Sequence, residues 1–354
     1  MPAPTNRGNP GRRLPRTGSR TPSAALVAAR ILAHTTSRRF GAPRNLRTSE
    51  TVAGLVRKGA WPVDRPVTVG VDGSPSSMRA LDWAADEAAL HRRPLRVVYA
   101  SVWERFEGTT PAEDLPEGAT EAAALEKIAD DAAVRARRRR PEVGIQAEVL
   151  PGEPVDVLVQ AGEDAFVLVV GHRGHGALAR RLFTGSVGAG VAERAWCPIV
   201  VVGDSVPALP SDARQIVVGI GEGTDADAAH VAFALHEAQA RGCDLVVVHA
   251  RSPQETRRHP PGRHGSPAPD ALLSAAVPDR AALGRGVVMR GRVIDGPPQK
   301  ALLHVAAYAD LLVLGVRHGH GMVRRELGPT HHAALGHAPC PVALVPGLWA
   351  SPHR

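Results

Sequence analysis

Short apolar runs alternate with longer amphipathic stretches from residue 67 onward. Val67–Val71 (VTVGV) is brief, β-branched and nearly all apolar, the pattern of a strand buried on both faces of a parallel sheet. The Ala-rich stretch after it places Ala80, Leu81, Ala84 and Ala88 near helical spacing, with Ser76 or Ser77 positioned to cap a helix running to about His91. Leu95–Val102 reads as the next strand and Thr120–Arg140 as a long helix, whose closing arginines suit the negative end of the helix dipole. Gly144–Leu150 then reads as a strand, Val155–Asp164 as a helix and Phe166–Val170 as a strictly apolar strand. A Gly-rich loop leads into a helix from about Ser186 to Ala195, and Pro198–Val202 closes the series as a strand with a leading Pro. Five strands separated by helices predict an α/β fold, a doubly wound parallel sheet with right-handed crossovers.

The whole pattern occurs twice. Val67–Val71 parallels Ile216–Ile220 (IVVGI), and Leu95–Ala100 (LRVVYA) parallels Leu245–Ala250 (LVVVHA). Gly152–Pro154 parallels Gly296–Pro298, Phe166–Gly171 parallels Leu311–Val316, and Cys197–Val201 (CPIVV) parallels Cys340–Leu344 (CPVAL). A tandem repeat of this length makes each unit one domain. The expected organisation is a basic low-complexity extension over 1–63, a first domain over 64–203, a linker over 204–213, a second domain over 214–346 and a tail over 347–354.

Charge changes the picture of the first segment. Residues 1–60 hold twelve Lys or Arg against one acid, Glu50, a net +11 within a chain of net +8, which leaves the remainder at −3. Such an extension, rich in Arg, Pro, Gly and Ser, reads as disordered and solvated. Nucleic-acid binding is expected only through this basic tail. Cys197, Cys243 and Cys340 are far apart and form no CxxC pair, which argues against a disulfide framework and a cysteine zinc site and fits a reducing cytoplasm. No apolar run approaches the ~20 residues of a membrane helix, so no membrane association is expected.

In doubly wound sheets ligands bind at the carboxyl ends of the strands, where the strand order reverses. Two loops of the first copy end there with suitable residues: Asp72–Gly73–Ser74–Pro75, and Gly171–His172–Arg173–Gly174–His175–Gly176 continuing to Thr184–Gly185–Ser186–Val187. Glycines let backbone N–H groups approach an anion, and a helix start favours phosphate. Asp72 also reads as a turn-former in Asp–Gly–Ser–Pro, and Ala100 as a core residue. There is no G-x-S-x-G elbow and no Walker A motif, so no catalytic residues are assigned. In the second copy, His318 and His320 have no nearby Cys or acid at ligand spacing and His331 and His332 face different sides of a helix, so no metal site is expected among them.

Asp72 after the first strand, Gly171-x2-Gly174-x10-Gly185–Ser186, then Cys197–Pro198 and a Val-rich strand make the chain similar to the universal stress protein family, over 64–203 and more weakly 214–346. ATP-binding members of that family carry G-x2-G-x9-G-[S/T]. The first copy has one residue more between its second and third glycines, and the second copy has the family's nine. The resemblance implies a Rossmann-like fold and an ATP-binding, stress-responsive module with little or no catalysis. It places Asp72 near the phosphates and a divalent cation such as Mg2+, and the Ala100 backbone at adenine. Val170, Gly171 and Gly174 fall at the ribose and phosphate turn, and Gly185, Ser186 and Val187 at the start of the triphosphate-binding helix. The second copy replaces three of these: Gly221 stands for Asp72, His318 for Gly174 and Pro329 for Ser186. The resemblance also implies that last strands pair, Pro198–Val202 against Pro341–Val345 within one chain, or across a homodimer. Its protein partners are not specified by the sequence. The alternative readings are a module of the same fold that works through protein contacts alone, and nucleic-acid association through the tail.

Overall fold

Val, Ile and Leu supply both faces of every central strand, so each strand can be buried only if helices cover the sheet on both sides. The computed structural model describes residues 65–102, 121–172, 187–204, 214–221, 229–251, 287–316 and 327–347. The first copy contributes β1 (Val67–Val71), α1 (Pro75–Leu90), β2 (Leu95–Ser101), α2 (Glu121–Arg139), β3 (Ile145–Pro151), α3 (Pro154–Ala161), β4 (Val167–Gly171), α4 (Val187–Ala192) and β5 (Ile199–Val202). The second contributes β6 (Gln215–Ile220), α5 (Ala229–Arg241), β7 (Asp244–Arg251), β8 (Met289–Asp295), α6 (Pro298–Ala306), β9 (Leu311–Val316), α7 (Pro329–His337) and β10 (Val342–Pro346). The extension 1–63 and residues 205–213, 252–286 and 348–354 lie outside the described residues. Among the described residues no helix is long and apolar enough to cross a membrane.

The two copies form one continuous sheet in the order β3-β2-β1-β4-β5-β10-β9-β6-β7-β8. Pairing is parallel within each copy, and β5 meets β10 antiparallel, with Val201 opposite Val342, Val200 opposite Ala343 and Ile199 opposite Leu344. The last strands therefore join the copies inside one chain, one of the two arrangements that the family resemblance implies. Each copy leaves β1 or β6 outward and returns on its other side, so the order reverses between β1 and β4 and again between β6 and β9.

Alternate residues of the same strand enter opposite core layers. Val167 and Val169 pack with α1, α2 and α5, while Leu168 and Val170 pack with α3, α4, α6 and α7. Small residues set the spacing. A Cβ at Gly188 would lie 3.3 Å from Val201, and one at Gly190 3.2 Å from Val155, so α4 rests close on β5 and on α3.

Two element boundaries differ from the sequence expectation. The cap of α1 is Ser74, not Ser76 or Ser77: Ser74 is extended, and its Oγ accepts from Ser77 N at 3.0 Å. Pro75 is the reason, since its fixed φ suits the first helical position and places Ser76 and Ser77 inside the first turn. The helix expected over Ser186–Ala195 is shorter, ending at Ala192, where Ala195 N turns back to Val191 O before β5.

Candidate functional site

At the reversal point of the first copy, β1 delivers Asp72 and β4 delivers Val170, Gly171 and His172. Asp72 is half-buried and its Oδ1 accepts from Ser74 N at 3.0 Å, while its own N–H donates to Ser77 Oγ at 3.3 Å. Ser77 Oγ in turn donates to Ser74 O at 3.0 Å. Gly73 follows in the left-handed region, φ +78°. The turn and the helix cap thus hold the carboxylate at the mouth of the crevice. Gly171 is required by packing: a Cβ there would lie 2.8 Å from the carbonyl carbon of Ser76, so the end of β4 presses on the first turn of α1.

The other sequence-predicted residues divide. The Val170 side chain is buried in the layer under α4, which leaves only its backbone to face a ligand. Ala100, on the neighbouring β2, is half-buried against the same layer. Val187 opens α4 and packs on that layer too. Gly174, Gly185 and Ser186 lie outside the described residues, as does His318.

In the second copy, histidine side chains stand around the end of β9. Gly221 follows β6 with no carboxylate. At the start of α7, His331 Nδ1 accepts from Gly328 N at 3.1 Å, and its Nε2 lies 3.0 Å from Gly315 O. Since Nδ1 is an acceptor, Nε2 carries the proton and donates to that carbonyl. Burial, partly opposed by the Gly315 hydrogen bond, holds the ring below the usual imidazole pKa and keeps it neutral. His331 therefore ties the helix start to the end of β9. With the Cys197 and Cys340 strands aligned, the first copy has Gly188 at this position. His230 stands there too, since a Cβ at Gly315 would lie 2.6 Å from its Nδ1.

A second cluster, absent from the sequence reading, lies where α1 and α5 face each other. Glu87 and His91 sit one turn apart on the first copy, Glu237 and Arg241 on the second. His91 Nε2 lies 3.2 Å from Glu87 Oε1 and 3.1 Å from Glu237 Oε1. Arg241 Nη2 lies 2.5 Å from Glu87 Oε2 and 3.0 Å from Glu237 Oε2. Burial favours neutral His91, but the Glu237 and Glu87 carboxylates outweigh it and push its pKa up to about 9. Its ring stacks at 4.9 Å on His236, which burial and the His91 charge push down to about 4. Burial opposes ionisation of Glu87, yet Arg241 and His91 hold it well below the carboxylate range, while burial and Glu87 raise Glu237. The available signal was the recurrence of Glu87 as Glu237 at the same place in the repeat.

Comparison with known proteins follows the repeat. The model of the universal stress protein family matches residues 65–203 and 213–346. A universal stress protein of Mycobacterium tuberculosis is 32% identical over 298 residues, covering 79% of this chain and 96% of that one. The solved universal stress protein of Archaeoglobus fulgidus DSM 4304 has a TM-score of 0.56 at 18% identity, covering 79% of this chain and 98% of that one, a likeness of fold. A universal stress protein solved in complex with cAMP is 31% identical, with a TM-score of 0.32, and covers 40% of this chain and 98% of that one. With both copies matched in sequence and the doubly wound sheet repeated in space, the chain belongs to the universal stress protein family.

Proposed function

We propose that the first copy binds ATP with a divalent cation such as Mg2+, that the second copy binds no nucleotide, and that occupancy alters the surface offered to protein partners without a catalytic step. The observation that carries the asymmetry is His331, which spans Gly328 and Gly315 where the first copy has Gly188. A nucleotide entering the second crevice has to break both contacts. Asp72 supports the cation in the first copy, since a carboxylate at the crevice mouth can hold an ion that offsets phosphate charge. Pro329 also lacks the N–H and hydroxyl that Ser186 offers. Losing one charge-assisted and two neutral contacts costs about 3 kcal/mol, on the order of a hundredfold in affinity.

A second reading, a module that works through protein contacts alone, draws on two facts. Asp72 Oδ1 is engaged by the turn, and Gly171 has a packing reason that needs no ligand. Calorimetry with ATP on the full chain separates the two. The proposal expects binding that weakens in a folded Gly174→Ala variant, because a side chain there crowds the phosphate turn. Unchanged affinity in that variant removes the loop from the site, and no binding by the parent chain favours the second reading.

A further inference from the structure

The Glu87–His91–Glu237 cluster has the makings of a ligand set beyond those of an ion pair. Its three donor atoms, Glu87 Oε1, His91 Nε2 and Glu237 Oε1, lie within 4.8 Å of one another and come from helices of both copies. Glu87 and Glu237 are 1% and 0% exposed, and the His91 side chain is 3% exposed. The His91 N–H is directed at Glu87 Oε1. Glu237 Oε1 lies 3.1 Å from the same Nε2, so a single N–H stands between two carboxylate oxygens and cannot satisfy both fully. A fully buried carboxylate oxygen in that state is costly, and it is aimed at the same point as the other two donors.

We propose that Glu87, His91 and Glu237 form a binding site for a first-row divalent transition metal ion at the seam between the two copies. Metal–oxygen and metal–nitrogen bonds to such an ion are about 2.0–2.2 Å, so donors that lie within 4.8 Å of one another can close on one ion with small side-chain adjustment. One imidazole with two carboxylates suits zinc, manganese or ferrous iron better than calcium or magnesium, which take oxygen ligands. On binding, the ion replaces the proton shared by His91 with the carboxylates, and that proton leaves to solvent. Arg241 already holds the outer oxygens, Glu87 Oε2 and Glu237 Oε2, which turns both Oε1 atoms toward His91. Glu87 and Arg241 also line a cavity of about 520 Å³ together with Trp83, Asp86, Arg140 and Arg214, which brings solvent to the outer side of the cluster. The ion would bind ligands from α1 and α5 and so fasten one copy to the other.

The test uses the untagged full chain, stripped with EDTA, dialysed and titrated with Zn2+. Glu237→Gln and His91→Gln are each expected to bind one equivalent less than the parent and to lose the rise in thermal midpoint that Zn2+ gives the parent. Crystals of the parent grown with Zn2+ are expected to show an anomalous peak bonded to His91 Nε2, Glu87 and Glu237. This map decides the matter even where a variant fails to fold. No Zn2+ binding, the same stoichiometry in both folded variants, or anomalous peaks only on other histidines would overturn the site.

Discussion

Raising the pH from 6.5 to 8.5 is expected to weaken the metal-free protein through one side chain. His91 has a folded pKa of about 9 against an ordinary value of 6.5. A raised imidazole pKa gives stability that is fully present below the unfolded value and is lost as pH rises through the folded one. The loss thus begins at pH 6.5 and continues to about 9. Integrated only to pH 8.5, it is about 2 kcal/mol. The side chain is 3% exposed, so solvent screening takes little from this. The window stops at 8.5 because Cys243 and Cys340, pushed up by burial to about 11 and about 12, add their own loss above the ordinary thiol range. The groups that face His91 are Glu87 on its own helix, Glu237, Arg241 and His236 on α5, and Arg93, which shares the Phe166 ring. His236, whose ordinary value of 6.5 is held down to about 4, adds a small opposing gain near pH 6.5, so the His91 share is read from the difference between the parent and His91→Gln, which keeps His236. The assay is the urea midpoint of the parent and of His91→Gln, with EDTA present, at steps between these pH values. The parent should fall toward the variant, and the two curves should converge at the alkaline end. Parallel curves would refute the reasoning, because the decline would then come from elsewhere.

Two other perturbations follow from the geometry. Gly171→Ala drives a Cβ to 2.8 Å from the Ser76 backbone, which cannot swing aside, and should cost about 1–3 kcal/mol in urea unfolding. Gly315→Ala meets the His230 ring instead and should cost less; the reverse order would contradict the packing described. Deleting residues 1–60 should remove most salt-sensitive binding to DNA, since that segment carries net +11. Equal binding with the same salt slope in the truncated chain would place the basic surface elsewhere.

The sheet was legible because strands buried on both faces must be apolar throughout, as in Phe166–Val170, and because the repeat gave each element a second instance. The pairing of Pro198–Val202 with Pro341–Val345 was legible only through the family resemblance. The charged seam was not. On a helix, Glu87, His91, Glu237 and Arg241 look like solvent-facing residues, and only the meeting of α1 with α5 buries them together. His331 read as one of several scattered histidines. Its contact with Gly315 joins α7 to β9, a distance along the chain that spacing does not reveal. Ser74 was missed as a cap because the apolar periodicity begins several residues later, while Pro75 fixes the true start.

The proposed asymmetry is that the two copies, alike in fold, differ in nucleotide binding, with ATP bound by the first and not by the second. Equilibrium dialysis of the full chain with ATP and Mg2+ tests it most directly, run on the parent and on Ser186→Pro, which gives the first copy the residue found at Pro329. Close to one ATP per parent chain is expected, with a loss of that binding in the variant. Two ATP per chain, or one that persists unchanged in Ser186→Pro, would contradict it.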